Sequence, residues 1–138
     1  MINYGKQSIN QDDIDAVTNV LKSDFLTQGP KVVEFERDLS SYCSVKYTKV
    51  VCNGTAALHL AYLAIGLEPG DIVWTTANTF VATANAALYC GATVDFVDID
   101  LRTYNLSINS LKEKLMQAKK DNKLPKLLVP VHFAGQSC

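Results

Sequence analysis

The residues best suited to bind a ligand lie in a turn that joins a β-branched apolar stretch to an alanine-rich helix. The turn falls within residues 49–63, KVVCNGTAALHLAYL. Asn53 and Gly54 favour a tight turn, and the residues after Thr55 are strong helix formers. The first turn of a helix leaves backbone N–H groups without partners and carries partial positive charge, so it attracts anions. Thr55 adds a hydroxyl donor, while Gly54 and Ala56 let the backbone approach closely. The pattern predicts a phosphate site here; the alternative is an ordinary strand–turn–helix connection in which Thr55 caps the helix.

Two further turns follow predicted strands and could complete a ligand site. The turn at 77–80, ANTF, ends in Phe80, and the turn at 132–135, HFAG, begins with His132. An aromatic face against a flat ring adds about 0.5–1.5 kcal/mol beyond the burial of area and fixes the ring plane. A phosphate site and a ring platform together suit a flat phosphorylated cofactor, whereas simple core packing is the alternative for Phe80. The chain contains neither G-x-x-x-x-G-K-[ST] nor G-x-G-x-x-G, which disfavours a nucleotide P-loop and a dinucleotide fold.

Alternating helices and strands must position these turns. Helical periodicity and capping signals predict helices at 10–23, 30–42, 55–66, 79–89 and 109–120, and β-branched apolar runs predict strands at 47–52, 72–75, 93–97 and 126–133. Such alternation indicates an α/β fold with a mostly parallel sheet covered by helices on both faces. Ligands bind such sheets at the carboxyl ends of the strands, where all three turns are expected.

The segment Asp24-Phe25-Leu26-Thr27 shows neither helical nor strand periodicity. An apolar, aromatic and threonine-containing loop between helices is often a binding segment. The alternative is a buried connection held by Phe25 and Leu26.

Composition limits the class of protein. The chain has 138 residues, 48% hydrophobic and 20% charged, which suffices for one domain core, and its net charge of −1 does not favour nucleic acid or anionic membranes. No apolar run is long enough to span a bilayer and no signal peptide is evident, so a cytoplasmic protein is expected. The four cysteines lack C-x-x-C spacing and only two histidines occur, so neither disulfides nor a metal site is expected.

The chain resembles the amino-terminal part of the DegT-type nucleotide-sugar aminotransferases. The matching segments are YGKQSINQDDIDAVTNVLKSDFLTQGPKVVEFE, NGTAALHLA, TFVATANAALYCGATVDFVDID and VPVHFAGQSC. Within that family the chain looks most like the transaminases of pseudaminic-acid biosynthesis. The resemblance implies a fold-type I pyridoxal-phosphate transferase that moves an amino group from glutamate to C4 of a UDP-linked 4-keto-6-deoxy sugar, and a homodimer.

The resemblance also assigns roles to residues. It implies that Gly54, Thr55 and Ala56 hold the phosphate of pyridoxal 5'-phosphate and that Phe80 stacks on its pyridine ring. Substrate-contacting positions of the family match five residues of this chain: Tyr4, Asp24, Phe25, Leu26 and Thr27. His132 and Gln136 fall in the family's strand-end motif, without an assigned chemical role.

No catalytic residue is expected within residues 1–138. In the family, the lysine that forms the Schiff base and the carboxylate that pairs with the pyridinium nitrogen lie beyond the matched region. The chain is therefore expected to be a partial large, cofactor-binding domain, inactive alone, with the rest of that domain and the small carboxyl-terminal domain absent. Three alternatives stay open: a sugar dehydratase of the same cofactor family, a non-catalytic phosphosugar-binding or assembly module, and a truncated gene product.

Overall fold

The computed structural model describes residues 5–138, so Tyr4, a predicted substrate-contacting residue, lies outside the described residues. The chain divides into two compact units, Met1–Val50 and Val51–Cys138. They are called here the amino-terminal unit and the carboxyl-terminal unit.

Two helices form the described part of the amino-terminal unit: α1, Gln11–Leu21, and α2, Pro30–Cys43. Asn10 caps α1 by accepting the N–H of Asp13 through its side chain, and the Asp13 carboxylate accepts the N–H of Asn10 in return. Pro30 occupies the first position of α2, where its missing N–H costs no hydrogen bond. Both starts agree with the capping signals in the sequence.

The predicted strand at 47–52 is wrong, because no residue of that segment belongs to a strand in the structure. Its polar groups bind α2 instead of a neighbouring strand. The N–H of Val50 donates to Glu36 Oε1 at 3.1 Å, and Lys49 Nζ lies 3.0 Å from Glu36 Oε2. The β-branched residues favour an extended backbone, but a strand also requires a partner strand for its ladder of hydrogen bonds.

The carboxyl-terminal unit alternates helices and strands: α3, Gly54–Ala64; β1, Ile72–Thr75; α4, Ala82–Tyr89; β2, Thr93–Phe96; α5, Ile108–Lys120; and β3, Leu127–Val129. The three strands form one parallel sheet in the order β2-β1-β3. Val73 pairs with Val94 on one side and with Leu127 on the other. The predicted parallel α/β architecture is confirmed.

Two boundaries differ from the sequence prediction by three residues or more. Helix α4 begins at Ala82 rather than at Thr79, which leaves Phe80 in the preceding turn. Strand β3 ends at Val129 rather than at Phe133. Pro130 follows directly and has no N–H to donate to a ladder, which explains the early end.

The sheet lies between two apolar clusters, so helices cover both of its faces as predicted. Val73 packs with residues of α3 and α4, including Tyr62 and Ala86. Trp74, the next residue, points to the opposite face and packs with Leu106 and with Ala118 of α5. Successive residues of a strand face opposite sides of a sheet, so β1 contributes to both clusters.

Within residues 5–138, none of the helices combines the length and the apolar character needed to cross a bilayer.

Candidate cofactor site

Asn53 begins the candidate phosphate site by capping helix α3. Its backbone is extended and its side-chain oxygen accepts the N–H of Ala56 at 2.9 Å. The N–H of Ala57 donates to the Asn53 carbonyl oxygen at 3.1 Å. The cap is therefore Asn53 and not Thr55, which leaves the Thr55 side chain free for another role.

The donors that remain for an anion lie at Gly54 and Thr55. Within the described residues, neither backbone N–H makes a hydrogen bond, and the Thr55 hydroxyl makes none. Among residues 5–138, no atom lies within 4 Å of a Cβ built on Gly54, and the Gly54 backbone does not adopt the left-handed conformation that requires glycine. Neither packing within the chain nor backbone conformation demands a glycine here, so the open space above Gly54 is available to a ligand.

Phe80 is not a core residue. Its side chain is 75% exposed, in the turn between β1 and α4. The preceding residues hold that turn in place: Thr76 is buried, and the Thr79 hydroxyl lies 2.8 Å from the Thr83 hydroxyl. An exposed aromatic ring on a fixed turn at the carboxyl end of β1 can stack on a planar ligand.

The second and third turns meet through the connector between β2 and α5. Asn78 Nδ2 donates to the Tyr104 carbonyl oxygen at 3.4 Å. The Tyr104 ring lies 5.8 Å from the Phe133 ring, centroid to centroid. The carboxyl ends of β1, β2 and β3 therefore form one continuous edge, as expected for a parallel sheet.

Asn105 joins the connector between β2 and α5 to the loop after β3, a role that no sequence pattern indicates. It is only 5% exposed. Its Oδ1 accepts the N–H of Phe133 at 2.9 Å, and its Nδ2 donates to the carbonyl oxygens of Gln136 and Ser137 at 3.1 and 3.3 Å. The neighbouring residues predict a polar connector around Asn105, but they do not indicate whether its side chain is buried or exposed.

Asp100 shapes the same connector. Its carboxylate accepts the N–H groups of Arg102 and Thr103, at 2.8 and 3.2 Å. These two hydrogen bonds, the one from Arg102 first, hold the pKa of Asp100 below its ordinary value. The carboxylate thus stays ionised as a structural acceptor for the turn.

Contacts between helices α3 and α4 link the first turn to the second. Tyr62 Oη donates to the Thr83 carbonyl oxygen at 3.1 Å, and the ring of His59 meets the ring of Tyr89 edge-on at 5.5 Å. Within residues 5–138, no hydrogen bond joins Gly54, Thr55 or Ala56 to the turn that carries Phe80. Gly54, Thr55 and Ala56 thus form one group in the structure, and the turn that carries Phe80 forms another.

Asp24, Phe25, Leu26 and Thr27 lie in the amino-terminal unit, between α1 and α2, outside helix and strand as predicted. The side chains of Phe25 and Leu26 are exposed, so within residues 5–138 the loop is not the buried connection that was the alternative. The Ser23 hydroxyl donates to the Val20 carbonyl oxygen at 2.7 Å and lies 3.2 Å from the Phe25 carbonyl oxygen. The loop therefore presents its apolar side chains on a locally ordered backbone.

Comparison with known proteins identifies the family. The model of the DegT/DnrJ/EryC1/StrS aminotransferase family matches residues 7–138. The chain is 48% identical over 121 residues to the UDP-4-amino-4,6-dideoxy-N-acetyl-beta-L-altrosamine transaminase of Campylobacter jejuni, covering 88% of this chain and 32% of the relative.

Solved aminotransferase structures are also similar to the chain. Helicobacter pylori PseC, an aminotransferase involved in the biosynthesis of pseudoaminic acid, superposes with a TM-score of 0.87 at 32% identity, over 99% of this chain and 35% of PseC. NtdA from Bacillus subtilis, solved with bound cofactor PMP, gives a TM-score of 0.80 at 32% identity, over 94% of this chain and 29% of NtdA.

The chain spans about a third of the length of these relatives. The match nevertheless runs through both units and includes all three turns. Because residues 47–52 do not form a strand, the first turn does not follow a strand of the sheet, contrary to the prediction. Aminotransferases of this family use pyridoxal phosphate, and structural neighbours of the chain have been solved in PLP and PMP forms. The chain belongs to the DegT/DnrJ/EryC1/StrS aminotransferase family.

Proposed function

We propose that the chain supplies the phosphate-binding and ring-stacking half of a pyridoxal-phosphate site in a nucleotide-sugar aminotransferase. The observation that carries this proposal is the start of α3, where the amides of Gly54 and Thr55 and the Thr55 hydroxyl have no partner within the described residues. The open space at Gly54 gives a phosphate access to these donors.

The donor set fits a cofactor phosphate. Two backbone N–H groups at a helix amino terminus, with a hydroxyl beside them, suit a dianion through hydrogen bonds and the helix dipole. Asn53 Oδ1 already accepts the N–H of Ala56. We therefore assign Ala56 a packing role beside the phosphate, with Gly54 and Thr55 as the donors.

Phe80 completes the cofactor half of the site. Bound pyridoxal phosphate supplies an electron sink for the transfer of an amino group between carbon atoms. The exposed ring of Phe80 would hold the cofactor by stacking on its pyridine ring. The donors at Gly54 and Thr55 would hold its phosphate.

The reaction that we propose transfers an amino group from glutamate to C4 of a UDP-linked 4-keto-6-deoxy sugar, in pseudaminic-acid or related surface-glycan synthesis in the cytoplasm. The Campylobacter jejuni relative and PseC support this assignment through their names and through their similarity over most of the chain. In a homodimer, Asp24, Phe25, Leu26 and Thr27, together with Tyr4, contact the nucleotide sugar.

The chain carries only part of this enzyme in our proposal. Residues 1–138 form part of the large domain, while the reactive lysine, the partner of the pyridinium nitrogen and the small domain belong to sequence outside this range. The chain alone is then inactive. The competing interpretations are a sugar dehydratase of the same cofactor family, a non-catalytic phosphosugar-binding or assembly module, and a truncated product.

The experiment uses a longer polypeptide that contains this sequence, purified with pyridoxal phosphate. We expect glutamate to shift its visible absorption band, and a UDP-linked 4-keto sugar to restore the band with formation of an amino sugar. Release of a deoxygenated sugar without amination indicates the dehydratase, and no spectral change indicates a binding module or a truncated product.

Substitutions at the helix start test the role of this chain. Thr55→Val removes the hydroxyl at nearly constant volume, so we expect cofactor retention on dialysis to fall by about tenfold, the loss of one charge-assisted hydrogen bond. Thr55→Ser keeps the hydroxyl and serves as the matched control. Equal retention in both variants would contradict the assignment of Thr55.

A further inference from the structure

The turn that carries Phe80 is anchored through one buried residue, Thr83, in the first turn of α4. Thr83 is 7% exposed. We propose that Thr83 is a positioning residue for Phe80, and that together with Tyr62 it holds the Phe80 turn against helix α3, whose start carries the phosphate donors. This inference rests on the proposed function, in which Phe80 stacks on the cofactor ring.

All three polar groups of Thr83 take part in the anchor. Its N–H donates to the carbonyl oxygen of Phe80 at 3.1 Å, and its hydroxyl lies 2.8 Å from the hydroxyl of Thr79. Its carbonyl oxygen accepts the hydroxyl of Tyr62 at 3.1 Å. Thr83 therefore binds two successive residues of the turn and, at the same time, helix α3.

The position of Phe80 depends on this anchor because the ring itself is held by little packing. Its side chain is 75% exposed. Asn78, in the same turn, reaches the Tyr104 carbonyl oxygen only over 3.4 Å, which is long for a hydrogen bond between nitrogen and oxygen. The shorter contacts of Thr83 are therefore the stronger restraint on the turn.

Tyr62 carries the anchor into helix α3. It is 4% exposed and packs in the same apolar cluster as Ala86 of α4. Burial and, second, the neighbouring Cys90 raise the pKa of Tyr62, so the phenol keeps its proton and remains a donor to Thr83. Tyr62 follows Gly54 by roughly 12 Å along one uninterrupted helix. A continuous helix moves as a unit, so a restraint at Tyr62 also restrains the start of α3.

A single ligand must meet both parts of this arrangement in the proposed function. Its phosphate binds at Gly54 and Thr55, and its pyridine ring binds at Phe80. If the turn is already held against α3 before binding, less entropy is lost when both contacts form. Loss of the anchor should therefore weaken binding and loosen the ring, while the phosphate donors stay in place.

The experiment measures the binding of pyridoxamine 5'-phosphate to a longer polypeptide that contains this sequence, freed of cofactor. This ligand has no aldehyde that could react with a lysine, so its affinity reports non-covalent contacts alone. Thr83→Val removes the hydroxyl at nearly constant volume, and we expect the affinity to fall by about fivefold, the contribution of one neutral hydrogen bond. The induced circular dichroism of the bound ring should also weaken at saturation, which a loss of stability alone does not cause. Thr83→Ser keeps the hydroxyl and should retain both signals.

Phe80→Leu separates this inference from the proposed function. If Thr83 acts through the ring, Thr83→Val should change the affinity by no more than about twofold in the Phe80→Leu background, because the two effects are coupled. If Phe80→Leu alone does not weaken binding, the stacking role and this inference both fail. If Phe80→Leu weakens binding but Thr83→Val does not, or if the two effects add, the stacking role stands and only the inference is overturned.

Thr75→Val is the matched control for the loss of a buried hydroxyl. Thr75 is 0% exposed and its hydroxyl donates to the Val129 carbonyl oxygen at 2.9 Å, outside the anchor, so this change should leave the affinity unchanged. Equal effects of Thr75→Val and Thr83→Val would overturn the proposal. If far-ultraviolet circular dichroism shows that Thr83→Val does not fold, Tyr62→Phe decides, because it removes only the hydroxyl that reaches Thr83. It should lower the affinity and the induced dichroism, and an unchanged affinity would again overturn the proposal.

Discussion

The two units of the chain bury their side chains very differently. In the carboxyl-terminal unit, Val73 is 0% exposed and Trp74 is 2% exposed, at the centre of a sheet covered on both faces. In the amino-terminal unit, neither α1 nor α2 contains a buried residue. Apolar side chains such as Val17 and Phe35 are exposed there.

This difference indicates what stabilises each unit. The carboxyl-terminal unit gains stability from apolar burial in two clusters, the dominant favourable term in folding. The amino-terminal unit depends on caps and local polar contacts, such as the Asn10 capping box and the Glu36 carboxylate. Such contacts contribute about 1 kcal/mol each, so we expect this unit to open more readily.

The largest expected effect is on the free energy of unfolding when one aromatic side chain is truncated in each unit. Trp74→Ala leaves a cavity beneath α5 and should lower the free energy of unfolding by about 3–5 kcal/mol. Phe35→Ala removes a ring that is 52% exposed, and should cost about 1 kcal/mol or less. Urea denaturation followed by circular dichroism gives both values. A similar cost for Phe35→Ala would mean that the amino-terminal unit has an apolar core after all.

A smaller effect is expected from the two capping asparagines. Asn10→Ala and Asn53→Ala each remove one side-chain cap, at a cost of about 1 kcal/mol to the helix. The two substitutions should differ in how many helices they loosen. Faster amide hydrogen exchange should stay within α1 for Asn10→Ala, but extend from α3 to α4 for Asn53→Ala, because Tyr62 joins these helices. Exchange confined to α3 would show that α3 and α4 open independently.

The smallest effect concerns the pH dependence of the amino-terminal unit. The N–H of Val50 and, second, the ammonium of Lys49 lower the pKa of Glu36. The ionised Glu36 carboxylate therefore stabilises the folded unit fully above the ordinary glutamate pKa of about 4.3. This contribution is lost as the pH falls through the lower pKa of Glu36 in the folded state. Glu36→Gln should lower the free energy of unfolding at neutral pH. It should also weaken the loss of stability between pH 7 and 3, as measured by hydrogen exchange of α2.

Asp38→Asn serves as the control for this measurement. Asp38 meets Arg37 at 3.6 Å, with both side chains largely exposed, and such surface pairs contribute little. If Glu36→Gln loses stability with falling pH as much as the unaltered chain does, other groups determine the acid sensitivity of this unit.

The sequence predicted the elements that depend on local signals and failed where a distant partner decides. The start of α1 could be predicted because Asn10 and Asp13 are three residues apart and satisfy each other. The extended segment at 47–52 has the right residue types for a strand, but its hydrogen bonds go to Glu36, which no local pattern reveals.

The candidate site divides in the same way. The helix start at Gly54 and Thr55 could be predicted because a turn followed by helix formers is a local feature of the sequence. That Asn53 rather than Thr55 is the cap, and that Phe80 is exposed rather than packed, depends on side-chain orientations that the residue types do not determine. Asn105 was missed because its three partners lie about thirty residues further along the chain.

The alternation of Val73 and Trp74 across the sheet also limits which length changes evolution can make in this fold. One residue inserted within β1 would turn Trp74 toward the small alanines of α4 and a valine toward the space beneath α5, so both clusters would fail together. An insertion in the exposed turn around Gly70, between α3 and β1, leaves that alternation intact. Related sequences should therefore vary in length before β1 and never within it.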